Sequence, residues 1–421
     1  MINNATQNYV RQHADEDVRM LALRGCKDPA VDLTVALQQI QGRQTARRKL
    51  PSWAAIDGIL YPPHLNMEQC SSEHTARYKA ALCRRLLSSH LAPPHLVPRT
   101  PVPRKKISLL DLTGGFGVDF TFMSEVFDEA TYVERDEELC ALSTANFKTM
   151  DKAVRTICDD GTEVLHQTDH ATVIFLDPAR RDEHGGRTYG IADCTPNVLE
   201  MLDEMLEKAD RVMIKLSPML DWRKAVADLG KVNDVHIISV DNECKELLLA
   251  VNSEERGKNS ASPSLRVVCV NLLSDGNKEC FEFDGYHASP SSSAFHFSPV
   301  ASRFLYEPNA SIMKAGCFGL LEQRFGVMQL DKNSHLFVSD KEVIGFPGRE
   351  FLIEKRTSMN KRELKAALAG VDKANITVRN FPMSVAELRK RLKLKEGGEV
   401  YIFATTIANE GHQLLVCRKK T

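Results

Sequence analysis

From Ile107 onward, short apolar runs alternate with longer amphipathic stretches, and several of the runs end in a carboxylate. Ile107 to Leu112, Thr131 to Glu134, Val173 to Leu176 and Arg211 to Leu216 read as buried strands. Helices are expected between them over Asp136 to Thr149 and Pro196 to Lys208. This alternation predicts a parallel sheet with helices on both faces, because parallel neighbours need a crossover connection. Thr195 followed by Pro196 fits the cap and first position of a helix. His236 to Val240 and Leu247 to Val251, joined by a short polar turn, would close the sheet as a hairpin.

The flanking regions differ in pattern. Asp15 to Arg24, Asp32 to Gln41 and Ser71 to Ser88 space their apolar residues as helices do. His90 to Lys106 then holds five prolines and a basic cluster, Arg99, Arg104, Lys105 and Lys106. Proline removes amide donors and restricts φ, so regular structure should stop there. Ser253 to Pro263 is polar and reads as a boundary. Beyond it lie expected strands at Leu265 to Leu273 and Glu279 to Phe283, and a serine-rich loop at Ser289 to Ser293. The last stretch reads as a helix (Asn360 to Ala369), a strand (Ile376 to Arg379) and a second helix (Ser384 to Lys393). A hairpin follows, with Gly397-Gly398 turning the chain before Val400 to Ala404. These boundaries divide the chain into 1–105, 106–255, 264–346 and 347–421.

Composition excludes several classes. A chain of 421 residues with net charge −1, 43% hydrophobic and 26% charged is neither collagen-like, coiled-coil nor wholly disordered. No apolar run approaches the roughly 20 residues that span a bilayer. Met1 to Arg11 is polar and has no signal-like apolar segment, so a cytoplasmic chain without membrane partners is expected. The eleven cysteines are scattered without a CxxC pair, which argues against a zinc ribbon and any metal site. Charge is unevenly spread: Phe351 to Thr421 holds 15 Lys and Arg against 7 Asp and Glu. A solvated surface would account for any one basic run, but a whole module with this excess suits a polyanion.

The chemistry is concentrated at Leu109-Leu110-Asp111-Leu112-Thr113-Gly114-Gly115-Phe116-Gly117-Val118-Asp119. A buried strand ends in an acid, and a glycine-rich turn opens a helix, letting backbone approach a ligand closely. An ordinary tight strand–helix turn could look the same. Nicotinamide dinucleotides are disfavoured, because the third glycine of G-x-G-x-x-G is replaced by Phe120. Downstream, Glu134 ends the second strand and can accept bonds from both ribose hydroxyls. Asp159-Asp160 follows a short apolar stretch and can take an adenine amine. Asp177 ends the next strand. Any one acid is ordinarily a loop residue, but an ordered set at successive strand ends lies where open α/β sheets bind ligands.

With these residues, Lys106 to Val251 resembles a class I S-adenosylmethionine-dependent methyltransferase with a Rossmann-like seven-stranded sheet. The whole chain is similar to an uncharacterised bacterial family that joins this fold to a THUMP-like C-terminal domain. The N-terminal helical region precedes the sheet, and small α/β modules follow it. The words carrying the likeness are Glu68-Gln69-Cys70-Ser71-Ser72-Glu73, Leu176-Asp177-Pro178-Ala179-Arg180-Arg181, Lys215-Leu216-Ser217-Pro218-Met219-Leu220-Asp221 and Ala374 to Pro382. The resemblance implies S-adenosyl-L-methionine as cofactor and tRNA or rRNA as substrate. It places Asp111, Thr113, Gly114, Gly115 and Gly117 at the methionine end, Glu134 with Arg135 on the ribose, and Asp159 and Asp160 near adenine. Gln69, Ser72 and Glu73, with Thr75, are candidates from the preceding helix, although a plain capping box explains them equally.

Methyl transfer needs alignment and, where a proton must leave, a base. The catalytic candidates are Asp177, Pro178, Arg180 and Lys215, with Asp177 positioning the acceptor. Asp-Pro-Ala-Arg resembles the Asp-Pro-Pro-aromatic box of base-amine methylators but lacks its second proline and its aromatic. Arg180 and Arg181 could instead pair with phosphate, stack a base, or bond the sheet-edge acids. Pyrimidine C5 attack is disfavoured, because neither Asp177 to Arg181 nor Lys215 to Met219 has a thiol, and Cys194 precedes a helix. Lys79, Asp177, Lys215 and Glu246 also follow the Lys-Asp-Lys-Glu order of ribose 2′-hydroxyl methylators, where a lysine of lowered pKa takes the proton. Methylation of a protein or small metabolite, and a non-catalytic RNA-binding role, remain alternative readings. The oligomeric state is open.

Overall fold

Six helices precede the first strand in the computed structural model, which describes residues 2–88, 106–180, 190–253, 264–286 and 302–420. They are α1 (Asn4–Gln12), α2 (Val18–Arg24), α3 (Leu33–Lys49), α4 (Pro51–Ala54), α5 (His64–Gln69) and α6 (Glu73–Ser88). Asn3, Asp17 and Asp32 each accept a first-turn amide and so set where α1, α2 and α3 begin. The helix expected from Asp15 therefore starts only after Asp17. Helix α3 runs past the expected end at Gln41, because Gly42 serves as a contact and not a stop. A Cβ there would lie 2.2 Å from Tyr61 Cβ.

The structure gathers the chain into two compact units: Met1–Asp234 with Glu246–Ala261, and Val235–Lys245 with Ser262–Thr421. The N-terminal helices do not stand apart from the sheet as the 1–105 boundary suggests. Leu50, Trp53, Tyr61, Met67 and Ala76 share a core with Phe116 and Phe122, which follow the first strand. Trp53 meets Phe116 edge-on at 5.0 Å.

In the first unit the chain runs β1 (Ser108–Asp111), α7 (Val118–Ser124), β2 (Glu129–Val133), α8 (Glu137–Thr149), β3 (Arg155–Ile157), α9 (Gly161–Gln167) and β4 (Ala171–Leu176). The short strands β5 (Ala179–Arg180) and β6 (Cys194–Thr195) come next, then α10 (Val198–Lys208), β7 (Ala209–Leu216) and α11 (Trp222–Leu229). Strands β8 (Asp234–Val240) and β9 (Glu243–Asn252) follow, joined by Asp241 and Asn242, both at positive φ. The unit's sheet has the order β3-β2-β1-β4-β7-β9. Its first five strands are parallel, and β9 runs against β7. Every residue of β4 is buried, as a strand covered on both faces requires. Thus six of the seven expected strands belong to this unit, while the other, β8, groups with the second.

Thr195-Pro196 does not start a helix. Thr195 lies in β6, in register with Ala179, and the peptide to Pro196 is cis. Asn197 caps α10 instead, accepting the Leu199 amide.

The second unit carries a ladder of β8, β10 (Arg266–Leu272) and β11 (Lys278–Asp284). Its second sheet uses β12 (Phe304–Pro308), β13 (Met328–Gln329), β14 (Phe337–Ser339), β15 (Gly348–Thr357), β16 (Asn375–Arg379), β17 (Val400–Ile407) and β18 (Gly411–Lys419). Helices α12 (Ala310–Ala315), α13 (Phe318–Phe325), α14 (Lys361–Ala367) and α15 (Val385–Leu392) accompany it. The order is β13-β14-β12-β15-β18-β17-β16, and β12 pairs with β15 across the expected 346/347 boundary. Gly397 and Gly398, both at positive φ, turn the chain into β17 as expected. The proline-rich stretch from 89 to 105, the polar stretch from 254 to 263 and the serine-rich loop lie outside the described residues.

Glu307 of β12 is 2% exposed and holds two arginines of the same unit, Arg349 at 2.8 Å from Nε and Arg379 at 3.1 Å. Neutralising it leaves two half-solvated guanidiniums without their anion. Glu307→Gln should therefore lose about 1–2 kcal/mol of stability, below the range for fully buried pairs because both arginines reach solvent. Thermal unfolding monitored by circular dichroism measures this. An unchanged melting temperature would mean that the three charges contribute nothing.

Candidate active site

Strand register brings the acids to one edge. Asp111, the last residue of β1, stands level with Tyr132 of β2 and Phe175 of β4. Glu134 and Asp177 each follow the end of a neighbouring strand. Between Asp111 and α7 the chain turns through Thr113 to Gly117, and its contacts explain the glycines. A Cβ on Gly114 would meet the Tyr132 ring at 2.0 Å, and one on Gly117, at φ +80°, would meet Phe147 at 2.7 Å. The Tyr132 hydroxyl donates to the Gly115 carbonyl, and Ser143 Oγ also reaches it at 3.2 Å. Glu134 Oε2 accepts the Gly115 amide at 2.8 Å, and its Oε1 accepts that of Asp136 at 2.9 Å. Each oxygen keeps a second lone pair for a ligand hydroxyl.

Asp111 is 1% exposed. Its Oδ1 accepts the Thr113 amide at 3.0 Å, and among the described residues no cation pairs with it. Burial pushes its carboxyl well above the ordinary range, and the negative charges of Asp119, Asp177 and Glu134 push the same way. A desolvated acid among other acids would be relieved by a neighbouring cation.

Beside it lies a second arrangement. Lys215, near the end of β7, donates to Asp177 Oδ2 at 2.5 Å and lies 3.4 Å from Asp119 Oδ2. Lys79 of α6, fully buried, lies 3.2 Å from Asp119 Oδ1 and pairs with Glu246 of β9. Ser71 Oγ donates to Asp119 Oδ2 at 2.7 Å. Two ammonium groups and three carboxylates thus share one cluster, of which Asp177 is the most open to solvent. Burial opposes the charge on Asp119, but Lys79 and Lys215 outweigh it and hold the carboxyl below its usual value. Burial alone would lower Lys215, yet Asp177, Asp119 and Glu246 raise it well above the ordinary lysine value. The neutral lysine expected of a Lys-Asp-Lys-Glu base is therefore not what the site holds: Lys215 is an ammonium.

Comparison with known proteins agrees with this architecture. Residues 304–347 match a family described as a ferredoxin-like domain, and 348–419 match one described as THUMP domain-like. No curated protein matches the chain. The crystal structure of a Porphyromonas gingivalis W83 protein described as a "putative methyltransferase" is similar over 100% of both chains, at 29% identity and TM-score 0.82. The chain carries the class I methyltransferase fold, joined to a THUMP-like C-terminal module. More distant is a Listeria monocytogenes structure described as a "putative class I S-adenosylmethionine-dependent methyltransferase", at 13% identity over 64% of this chain and 94% of that one, TM-score 0.32. A Pyrococcus horikoshii "putative RNA methyltransferase" is similar at 14% identity over 40% and 72%, TM-score 0.27.

The methyltransferase unit brings together Asp111, Thr113, Gly114, Gly115, Gly117, Glu134, Asp177 and Lys215. Thr113 Oγ1 accepts the Asp177 amide at 2.6 Å, tying the glycine turn to the end of β4. Pro178 is buried. Arg180 lies in β5, level with Cys194 of β6, and Arg181 falls outside the described residues. Arg135 is exposed. Asp160 caps α9 through the Thr162 amide, and Asp159 accepts the Asp160 amide. From the helical word, Gln69 is exposed and Ser72 accepts the Thr75 amide at 3.3 Å as a cap. Glu73 has both oxygens engaged, by Ser52 and by Arg77.

Three participants escape sequence reasoning. Asp119 is the last residue of the glycine segment, but an acid in a helix's first turn looks like a dipole partner. Ser71 lies in the quoted helical word without marking itself. Cys70 puts a thiol within the field of Lys215, but burial pushes it up to about 11, and its Sγ donates to the Met67 carbonyl at 3.3 Å. It is not a thiolate at neutral pH. Among the described residues, no group of His, Cys, Asp and Glu converges to hold a metal ion, and no helix is long and apolar enough to cross a membrane.

An acid whose folded pKa lies above its unfolded one binds protons more readily when folded. Its contribution is most favourable below the ordinary 3.8 and is lost as pH rises through the folded value. Asp111→Asn keeps the acceptor for Thr113 and removes the buried charge. It should melt higher than wild type at neutral pH, with the gap closing as pH falls toward 3.8. A mutant that melts lower at every pH would show that Asp111 is not strained.

Proposed function

We propose that this protein is an S-adenosylmethionine-dependent methyltransferase acting on RNA, tRNA or rRNA, with the methyl acceptor positioned by Asp177. The observation that carries the cofactor reading is Asp111, a buried carboxylate surrounded by acids and, among the described residues, lacking a cation. The cofactor's methionine end carries an α-ammonium, which would relieve that charge, so the residues fit the group. When bound, the group supplies a methyl activated by an adjacent sulfonium. Glu134 has lone pairs facing where ribose hydroxyls would bind, and Arg135 stands beside it. Asp159 and Asp160 are exposed at the end of β3, where an adenine amine would reach them. The Gly114 and Gly117 backbones come close enough to neighbouring rings that only glycine keeps the turn in place. Asp177, half-buried and held by Lys215, is the carboxylate open to an acceptor.

The RNA reading is supported by the THUMP-like module and its charge. Lys361, Arg362, Lys365, Lys390, Arg391 and Lys393 are exposed on or next to α14 and α15. Among the described residues no carboxylate pairs with these six, and such cations can replace counterions on phosphate.

Two measurements test this. S-adenosylhomocysteine at 100 times its Kd should stabilise the wild type by about 2.7 kcal/mol. Asp111→Asn, folded and at least as stable as the wild type, should lose that shift; no shift in wild type at millimolar ligand would remove the cofactor reading. Affinity for bulk tRNA or rRNA should fall with salt, at a slope of about −0.7 per phosphate contact on single strands. Reversing Lys390, Arg391 and Lys393 to glutamate should flatten that slope by about two units. Affinity indifferent to salt would count against RNA.

A further inference from the structure

We propose that the methyl acceptor is a hydroxyl, and, on the RNA reading above, a ribose 2′-hydroxyl. The argument rests on the Lys79, Asp119, Lys215, Asp177 and Glu246 cluster and on what its charges can stabilise. Methylation of a neutral amine builds positive charge on nitrogen, and a site for it is favoured by a carboxylate with no ammonium beside it. Here the carboxylate open to solvent already has an ammonium 2.5 Å from Oδ2. The pair that faces an acceptor is electrically balanced and includes a cation, so it would offer a cationic nitrogen little. A hydroxyl has the opposite need: its proton must go to an acceptor while its oxygen gains negative character. An ammonium and a carboxylate side by side supply both functions.

Further residues point the same way. Asp177-Pro178-Ala179-Arg180 holds no aromatic ring against which a base could stack. Cys70, the thiol in the field of Lys215, is pushed up to about 11, and Cys194 is 2% exposed, so neither offers a nucleophile for pyrimidine carbon. RNA carries a hydroxyl at every nucleotide, the ribose 2′-oxygen, and this is the group that fits.

The groups around Lys215 explain its orientation. Asp119 approaches from α7 and Asp177 from the end of β4, while Lys79 of α6 pairs with both Asp119 and Glu246 of β9. Lys215 is held as a donor and keeps its proton throughout. Among the described residues only Oδ2 of Asp177 has a partner, which leaves Oδ1 to receive the hydroxyl proton. The acceptor oxygen forms its bond to the methyl carbon as the carbon–sulfur bond breaks. The bonding pair returns to sulfur, which leaves as a neutral thioether, and the proton passes to Asp177.

The test uses the full chain, tritiated-methyl S-adenosylmethionine, and bulk tRNA and rRNA from cells lacking the gene. Alkali cleaves RNA through the 2′-oxygen, so a methyl on that oxygen blocks the adjacent linkage. Label recovered in alkali-resistant dinucleotides is the expected result. Label in mononucleotides would overturn the hydroxyl acceptor while leaving an RNA methyltransferase. No label in RNA, with the S-adenosylhomocysteine melting shift intact, would overturn the RNA substrate and this inference together. Lys215→Ala and Asp177→Asn should each lower labelling about 100-fold or more while keeping that melting shift, with partial recovery in Lys215→Arg. Wild-type labelling by a Lys215→Ala protein that still melts cooperatively would overturn the role given to the pair.

Discussion

Two lysines joined to three carboxylates, of which Asp177 reaches solvent, are the constraint to which the methyltransferase unit is built. Lys79 has no exposure at all and could not be tolerated there without Glu246 and Asp119. Removing one partner from such a set leaves an uncompensated charge, which costs about 3–5 kcal/mol where burial is complete. The cluster draws on α6, α7, β4, β7 and β9, segments widely separated in the chain. It therefore specifies how the helices before the sheet meet its carboxyl edge. Asp119 is the hinge of that arrangement, since both lysines address it.

Against this cluster of ion pairs, Asp111 stands out as having no paired cation among the described residues. It lies at the same edge and is just as buried, but its neighbours share its sign. The fold accepts that strain because the residues around it leave little freedom. Tyr132 and Phe147 fill the space that side chains on Gly114 and Gly117 would need, and Thr113 binds the turn to Asp177. A strained carboxyl without a cation and a cluster of ion pairs thus lie side by side at the same sheet edge.

The second unit follows different physics. Its seven-stranded sheet is antiparallel except where β16 joins β17, and Glu307 collects arginines from β15 and β16. Buried charge is confined there to structural pairing, while α14 and α15 keep their cations at the surface. Such a surface suits contact with an extended polyanion better than enclosure of a small ligand.

Much of this was legible from residue order alone. The alternation of apolar runs located β1, β2, β4 and β7 to within a few residues, and Asp111, Glu134 and Asp177 marked the carboxyl edge. Both signals are local: period and turn chemistry act over neighbours in the chain. Helix ends were less secure, because Asp17 and Asn197 won their caps by hydrogen bonds that a pattern of apolar residues does not report. The expected helix end at Gln41 and the helix start at Thr195-Pro196 failed for a similar reason, since Gly42 packs against Tyr61 and Thr195 pairs with Ala179. What tertiary structure alone decided was electrostatic. Lys79, Asp119 and Glu246 are ordinary surface residue types until α6, α7 and β9 bury them together, and whether Lys215 is an amine or an ammonium depends on charges brought in from other elements. Coulomb energy depends on distance through space and on exclusion of water, and chain order records neither.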